Sequence, residues 1–555
     1  MHIVENKSVV KTSKKIYHST LLRESYREDG KVKKRTIANL SNCTPQEIAA
    51  IRLALKHKDS LTALGSIKES VVLKEGLSVG AVWTVSQMAK RLGIEKALGN
   101  SFEGKLALWQ VIARVIDQGS RLSAVRLAQT HAACDILGIE KRFDENSLYD
   151  NLGWLCDHQE KIEQNLFLNR RGENKPELFL YDVTSSYLEG EKNALAEYGY
   201  NRDKKKGKKQ IVIGLLCDEL GEPVSTEVFR GNTQDTETFQ SQVQKAVEKF
   251  GCKSVTFVGD RGMIKKTQIE GLPEGCHYIT ALTRVQIEGL IKRGLIQMTV
   301  FDITLCEIEE NGVRYILRRN PWRAEEISET RLSKQKKVER IVENTNKYLE
   351  EHPRAKISKA MERINKKIEL LKINKWVKIE ADERKLRLVV DEAVLKEESL
   401  LDGCYVIKTS LPGKSATKEI IHARYKDLSM VESAFRTSKT KHLEIRPVFV
   451  QTERNTRGHV LVVMLAYMIV RALQNKWKEL ELTVEEGIKQ LATLCSMKVE
   501  VNGQEGCLKI PIPRETSQEL LKKLDIRLPS VLPHKDILVV TRKKLAKQRK
   551  HLEKQ

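Results

Sequence analysis

Apolar residues recur with two periods along this chain, and the change from one period to the other marks out its elements. Strand-like runs stand at Ile16–Tyr26 and Val32–Leu40, at Glu177–Tyr181, at Ser254–Val258, at Val313–Leu317 and at Cys404–Ile407. The first two runs flank Asp29-Gly30, a pair that favours a tight hairpin turn. Thr44-Pro45-Gln46-Glu47 reads as an N-cap, a proline at the first helical position and a capping-box glutamate, so a helix begins there. From about 78 to 172 the period is helical, with Leu106, Trp109, Ile112, Val115 and Ile116 on one stripe and Leu148, Leu152 and Leu155 on a later one. A charge-rich helical stretch runs from Ala324 to about Trp376, broken at Pro353. The apolar run Val460–Val470 is shorter than the roughly 20 residues a bilayer requires, and a buried helix is expected there.

Two aspartates close strand-like runs, Asp182 after Leu-Phe-Leu-Tyr and Asp260 after Thr-Phe-Val-Gly. A third carboxylate, Glu432, lies in a helical stretch. There Leu428, Val431 and Phe435 make an apolar stripe, while Tyr425, Glu432 and Lys439 recur every seven residues beside it. Phosphodiester chemistry needs charge neutralised on both the attacking and the leaving oxygen, and two divalent cations roughly 3.5–4 Å apart supply it. Hard cations such as magnesium are held by one or two carboxylates each, so three carboxylates on rigid elements suit that task. Singly, each of the 74 acidic residues is more often structural, and Glu432 has Arg436 at salt-bridge spacing.

The spaced motifs add to this reading. The chain resembles the DDE transposases of bacterial insertion sequences, in the subgroup whose third carboxylate sits in a tyrosine, arginine, glutamate, lysine signature. Tyr425, Glu432 and Lys439 fall at the signature's places, and Leu428 stands where the arginine would be. Tyr198-Gly-Tyr-Asn-Arg202-Asp203, Gln210 to Leu216, Gly221-Glu-Pro223-Val, Phe229-Arg-Gly-Asn-Thr233, Asp260-Arg-Gly-Met263, Arg446-Pro-Val448 and Arg457-Gly-His459 follow in the family's order, so the resemblance covers about 170 to 475. It implies an α/β fold with an RNase H-like catalytic core, a mixed five-stranded sheet with flanking helices, interrupted by an insertion. It implies that Asp182, Asp260 and Glu432 hold two Mg2+ ions, for which Mn2+ can substitute, and that Tyr425, Arg436 and Lys439 contact DNA. It also implies cleavage at terminal inverted repeats and joining of the 3′ ends to target DNA, by a homodimer on double-stranded DNA. A nuclease of the same fold without strand transfer, or a DNA-binding relic, are the alternatives.

The expected organisation is a basic hairpin-helix module at 1–65, a candidate for DNA binding, a helical region for DNA binding or dimerisation at 66–172, core segments at 173–284 and 403–480, an insertion at 285–402 and a C-terminal region at 481–555 with a basic tail. The separation of Glu432 from Asp260, 432 − 260 = 172 residues, requires the insertion.

Bulk properties agree with a DNA partner. Lys plus Arg is 97 against 74 Asp plus Glu, a net charge of +23, which suits a polyanion and makes binding salt-dependent. Residues 1 to 60 alone hold 13 Lys/Arg and 6 Asp/Glu, 13 − 6 = +7. Two further basic runs stand at Arg202–Lys209 and Thr541–Gln555. With 5% aromatics, a chain built on base-stacking platforms is disfavoured and a duplex is favoured. The 10 cysteines show no paired metal-ligand spacing. The first residues lack the apolar centre of a signal peptide. A cytoplasmic bacterial protein, on the nucleoid when bound to DNA and without membrane partners, is expected.

Overall fold

A computed structural model describes residues 1–9, 16–59, 71–117, 119–172, 174–190, 192–302, 304–440, 442–501, 504–533, 535, 537 and 539–541. The basic tail beyond Thr541 lies outside the described residues. The chain divides into two compact units, one of residues 1–84, 129–138 and 486–536, the other of the remainder.

In the first unit, β1 (His2–Val9), β2 (Ile16–Glu28) and β3 (Lys31–Asn39) form an antiparallel sheet in that order. The β2–β3 turn is the expected hairpin: Asp29 and Gly30 both have positive φ, 51° and 73°, the conformation that a two-residue turn matching strand twist demands. The helix Pro45–Lys56 begins as its capping box dictates, with Glu47 N–H donating to Thr44 Oγ1 at 3.3 Å and Thr44 N–H to Glu47 Oε2 at 2.7 Å. Ahead of the helical period that begins at about 78, the region expected to be helical from 66 on has a strand, β4 (Val71–Ser78). It pairs with β15 (Cys495–Val501), which in turn pairs with β16 (Gln504–Lys509). No local pattern announces a partner more than 400 residues away, and β4 carries Lys74, Glu75 and Gly76 in mid-strand.

The second unit is mixed α/β around one large sheet. Its strands are β5 (Leu178–Tyr187), β6 (Gln210–Asp218), β7 (Pro223–Arg230), β8 (Thr256–Gly259), β9 (His277–Ala281), β10 (Cys306–Glu310), β11 (Val313–Arg319) and β14 (Cys404–Thr409), in the order β10-β11-β14-β9-β8-β5-β6-β7. The five-strand expectation is thus corrected to eight. β14 pairs with β9, β11 with β14 and β10 with β11, so strands from the intervening segment extend the sheet at the β9 edge. An open sheet edge offers unpaired N–H and C=O groups, and adding strands satisfies them. Every residue of β6 is buried, as expected of a strand covered on both faces. Phe179, Tyr181, Phe239 and Phe257 fill the layer between this sheet and its helices.

The charge-rich stretch forms two helices, Pro321–Glu351 and Ile357–Leu371, that stop and restart around Pro353. With β12 (Val377–Asp382) and β13 (Lys385–Val390) they enclose a core of Val338, Val342, Ile364, Ile368 and Trp376. The expected stripe of Leu106, Trp109, Ile112 and Val115 is buried in the helix Phe102–Ile116. The apolar run 460–470 lies within the helix Glu453–Trp477. By length and composition this helix would reach across a membrane, yet 83% of its apolar window is buried inside the protein. Among the described residues the cysteines are unbridged.

Candidate functional site

Asp182 does not end its strand; it stands in the middle of β5. The strand continues because β6 pairs with it antiparallel along its whole length, Asp182 opposite Leu215. What ends beside Asp182 is its other neighbour. β8 runs parallel to β5 with Gly259 opposite Tyr181, so Asp182 and Asp260 are the next residues on each chain. Asp260 then leaves the sheet through a turn in which its carbonyl accepts from Met263 N–H at 3.0 Å. Two carboxylates are thereby placed side by side where one strand continues and the other stops.

Glu432 arrives from the helix Leu428–Ser438, which packs against β5 and buries Leu428, Val431, Ala434 and Phe435. Leu428 is buried, as an apolar residue on that stripe should be. The single helix expected across 425–439 is corrected: Tyr425 belongs to a separate helix, Lys418–Lys426, and Asp427 forms the junction between the two. The seven-residue line from Tyr425 to Glu432 therefore crosses a helix end.

All three carboxylates and Tyr425 line one cleft of about 880 Å³, with Arg261, Arg284 and Arg323 along its wall. On their other side the same three carboxylates border a second opening of about 350 Å³, lined by Arg202, Asp235, Arg436 and Lys439. Cationic side chains thus flank the acidic centre in both directions. Glu419 and Glu444, the nearest glutamates in sequence to Glu432, go elsewhere. Glu419 lines a separate cavity with Arg314, and Glu444 is ion-paired to Arg446.

The electrostatics express this crowding. Burial pushes the Asp182 carboxyl up to about 7, with Asp260 and Glu432 adding to the rise, while the Val183 N–H and Arg202 oppose it. Burial likewise pushes Tyr425 up to about 12, and Asp260, Glu432 and Asp182 raise it further. A cluster of mutually repelling oxygens suits a cation, and an all-carboxylate donor set suits a hard divalent one. Among the described residues no three such side chains are drawn together closely enough to hold a metal ion as they stand. The carboxylates share a cleft without forming a closed ligand set.

The flanking cations differ in availability. Lys439 ends the Glu432 helix, and its Nζ is 2.8 Å from Asp203 Oδ1, an ion pair that the seven-residue spacing did not suggest. Arg436 is exposed and, among the described residues, forms no ion pair with Glu432. Arg202 stands in a motif and a basic run of the sequence without an assigned role in the site. It opens the basic run 202–209, donates through Nη2 to both Asp235 oxygens at 2.6 Å and reaches the Asp182 opening. Arg261, Arg284 and Arg323 were equally unassigned, because only the fold brings them to one wall.

The two downstream motifs are structural. Arg446 binds Glu444 and the Tyr187 hydroxyl, so it ties the segment after the Glu432 helix to the end of β5. His459 is buried and held well below its ordinary value, by burial first and by Arg114 and Arg121 second; it donates from Nε2 to the Ile445 carbonyl at 3.2 Å. Gly458 lies so close to Leu152 that an added Cβ would stand 2.1 Å from its carbonyl oxygen.

Comparison with known proteins places two family descriptions on the chain. Residues 7–64 match the IS1634 family transposase N-terminal domain. Residues 173–469, more than half of the chain, match the transposase DDE domain. Among solved structures, one similar to this chain is the cryo-EM structure of piggyBac transposase synaptic complex with hairpin DNA, at 7% identity and a TM-score of 0.34, covering 74% of this chain and 75% of that one. That likeness is too slight to carry an argument. Among curated proteins none matches.

Proposed function

The chain belongs to the transposases that carry a DDE domain, enzymes acting on DNA, and on that premise we propose that Asp182, Asp260 and Glu432 form its active centre on an RNase H-like core. The observation that carries this reading is the register of β5 and β8, which sets Asp182 beside Asp260 in the cleft that Glu432 also lines. Divalent metal dependence goes with the family; in this reading the three carboxylates would hold two Mg2+ ions, or Mn2+, which would neutralise charge on the attacking and leaving oxygens.

The protein's own groups supply position. Asp182 is fixed by its pairing with β6, with β8 alongside as far as the preceding residue, so its carboxylate has little freedom to follow a drifting substrate. Glu432 rides on a helix whose apolar face is anchored to β5, which sets its distance from the aspartates. Arg436 and Lys439 stand one and two turns beyond Glu432, where a DNA strand leading away from the centre presents phosphates. Tyr425 stays protonated at neutral pH and offers a hydroxyl beside the acidic centre. Arg261, Arg284 and Arg323 form the opposite wall.

This arrangement supports cleavage at the terminal inverted repeats of an insertion sequence and joining of the freed 3′ ends to target DNA. Joining two ends calls for two such centres, hence a homodimer on DNA. The test is incubation of the protein with duplexes carrying the sequences that flank its own gene, with magnesium, followed by mapping of the cut positions and of joined products. Cuts at the element ends and strand-transfer products are expected. Cutting without joining would leave a nuclease, and no metal-dependent cutting would overturn the reading.

A further inference from the structure

The β2–β3 hairpin outruns its sheet. β1 pairs with β2 only as far as His2 opposite Arg23, so from Glu24 to Arg35 the hairpin is a two-stranded ribbon. Residues 25 to 37 are exposed throughout. About five residues per strand at about 3.4 Å each give an arm roughly 17 Å long.

Its two faces differ in charge. Side chains directly opposite across an antiparallel pair share a face, and successive residues alternate between faces. One face carries the pairs Glu28/Lys31, Tyr26/Lys33 and Glu24/Arg35. There two of the three cations are matched: Lys33 binds Glu28 at 2.8 Å, Arg35 binds Glu24 at 2.6 Å, and Arg35 lies over the Tyr26 ring. The opposite face carries Arg27/Val32, Ser25/Lys34 and Arg23/Thr36. It holds three cations and no acid. Among the described residues Arg23, Arg27 and Lys34 form no ion pair. Val32 is its one apolar side chain, too little to bury against a second copy of the chain.

We propose that this ribbon lies in the major groove of duplex DNA, with the face of Arg23, Ser25, Arg27, Lys34 and Thr36 turned to the DNA. The groove, about 12 Å wide, admits a two-stranded ribbon. Arginine offers the paired donors that guanine edges and phosphates accept, and the short Ser25 and Thr36 let the backbone approach. The opposite face, where Glu24 and Glu28 offset two of its three cations, attracts DNA less, which fixes the ribbon's orientation. The inference rests on DNA as the substrate of this protein.

The test compares two triple variants of the full chain that each remove three cations from the ribbon, all at exposed positions but the half-buried Arg23. One is Arg23→Gln/Arg27→Gln/Lys34→Gln, the other Lys31→Gln/Lys33→Gln/Arg35→Gln. Binding to a duplex carrying the gene's own flanking ends is measured by anisotropy across a salt series, with dimethyl sulfate protection of guanine N7 as the groove readout. The first triple should bind about 30-fold more weakly, with the slope of log K against log salt reduced by about 2–3, and should lose N7 protection. The second should lose less than about 3-fold and keep it. Equal losses in the two triples, or N7 protection unchanged in the first, would overturn the proposal. Metal-dependent cutting at saturating protein separates this from the active-centre reading: wild type that shows the face-specific binding yet never cuts sinks the centre and leaves the ribbon standing.

Discussion

Replacing Asp182 by Asn should abolish cleavage and, without metal, make the protein more stable. The carboxyl is raised to about 7, chiefly by burial and then by Asp260 and Glu432. A native state that holds its proton more tightly than the unfolded chain loses stability as pH rises, from the unfolded value of about 3.9 through about 7, and carries the full penalty above that. The interval corresponds to roughly 4 kcal/mol at about 1.36 kcal/mol per pH unit. Because Asp182 keeps some contact with water, about 1–3 kcal/mol is the expected gain of Asp182→Asn at pH 8. Asn is neutral at every pH, so the gain should shrink toward zero at pH 4. The assay is thermal unfolding of both proteins at pH 4 and pH 8 in EDTA, and again at pH 8 with magnesium. A rise of a few °C is expected at pH 8 in EDTA, and magnesium should reverse the order by stabilising the wild type alone. A variant no more stable than wild type at pH 8 would refute the electrostatic argument. So would an equal gain at both pH values, which would mean that Asn simply packs better.

Asp260→Asn and Glu432→Gln should each remove metal-dependent cutting while changing duplex affinity less than about 3-fold, since neither subtracts basic surface; gel-shift and cleavage assays on the same preparations decide it. Leu428→Arg should cost about 2–4 kcal/mol by forcing a guanidinium into a buried position, with no gain in activity; a more active variant would mean that the helix face is misassigned. Lys439→Ala should lower end binding and cleavage together while changing stability by less than about 1 kcal/mol, because its pair with Asp203 is partly exposed. If Lys439 only anchors Asp203, Asp203→Asn will reproduce the whole effect, and that outcome would sink the phosphate contact.

Local chemistry made much of this protein legible in its sequence. The Asp29-Gly30 turn, the Thr44 capping box, the break at Pro353 and the buried stripes at 106–115 and 428–435 each depend on residues a few positions apart, so their signal sits in one window of sequence. The three carboxylates were legible as candidates for the same reason, each standing beside a strand or on a helix face that its neighbours define. What sequence could not supply was pairing. β5 runs past Asp182 only because β6 supports it, while β8 stops; the sheet has eight strands because β10, β11 and β14 close an edge; and β4 finds β15 across the length of the chain. Likewise Lys439 reaches Asp203 and Arg202 reaches Asp235 through space alone. Contacts between distant segments form only after loop-closure entropy has been met by the burial of the whole sheet, so they belong to the tertiary structure and leave no mark on the local pattern.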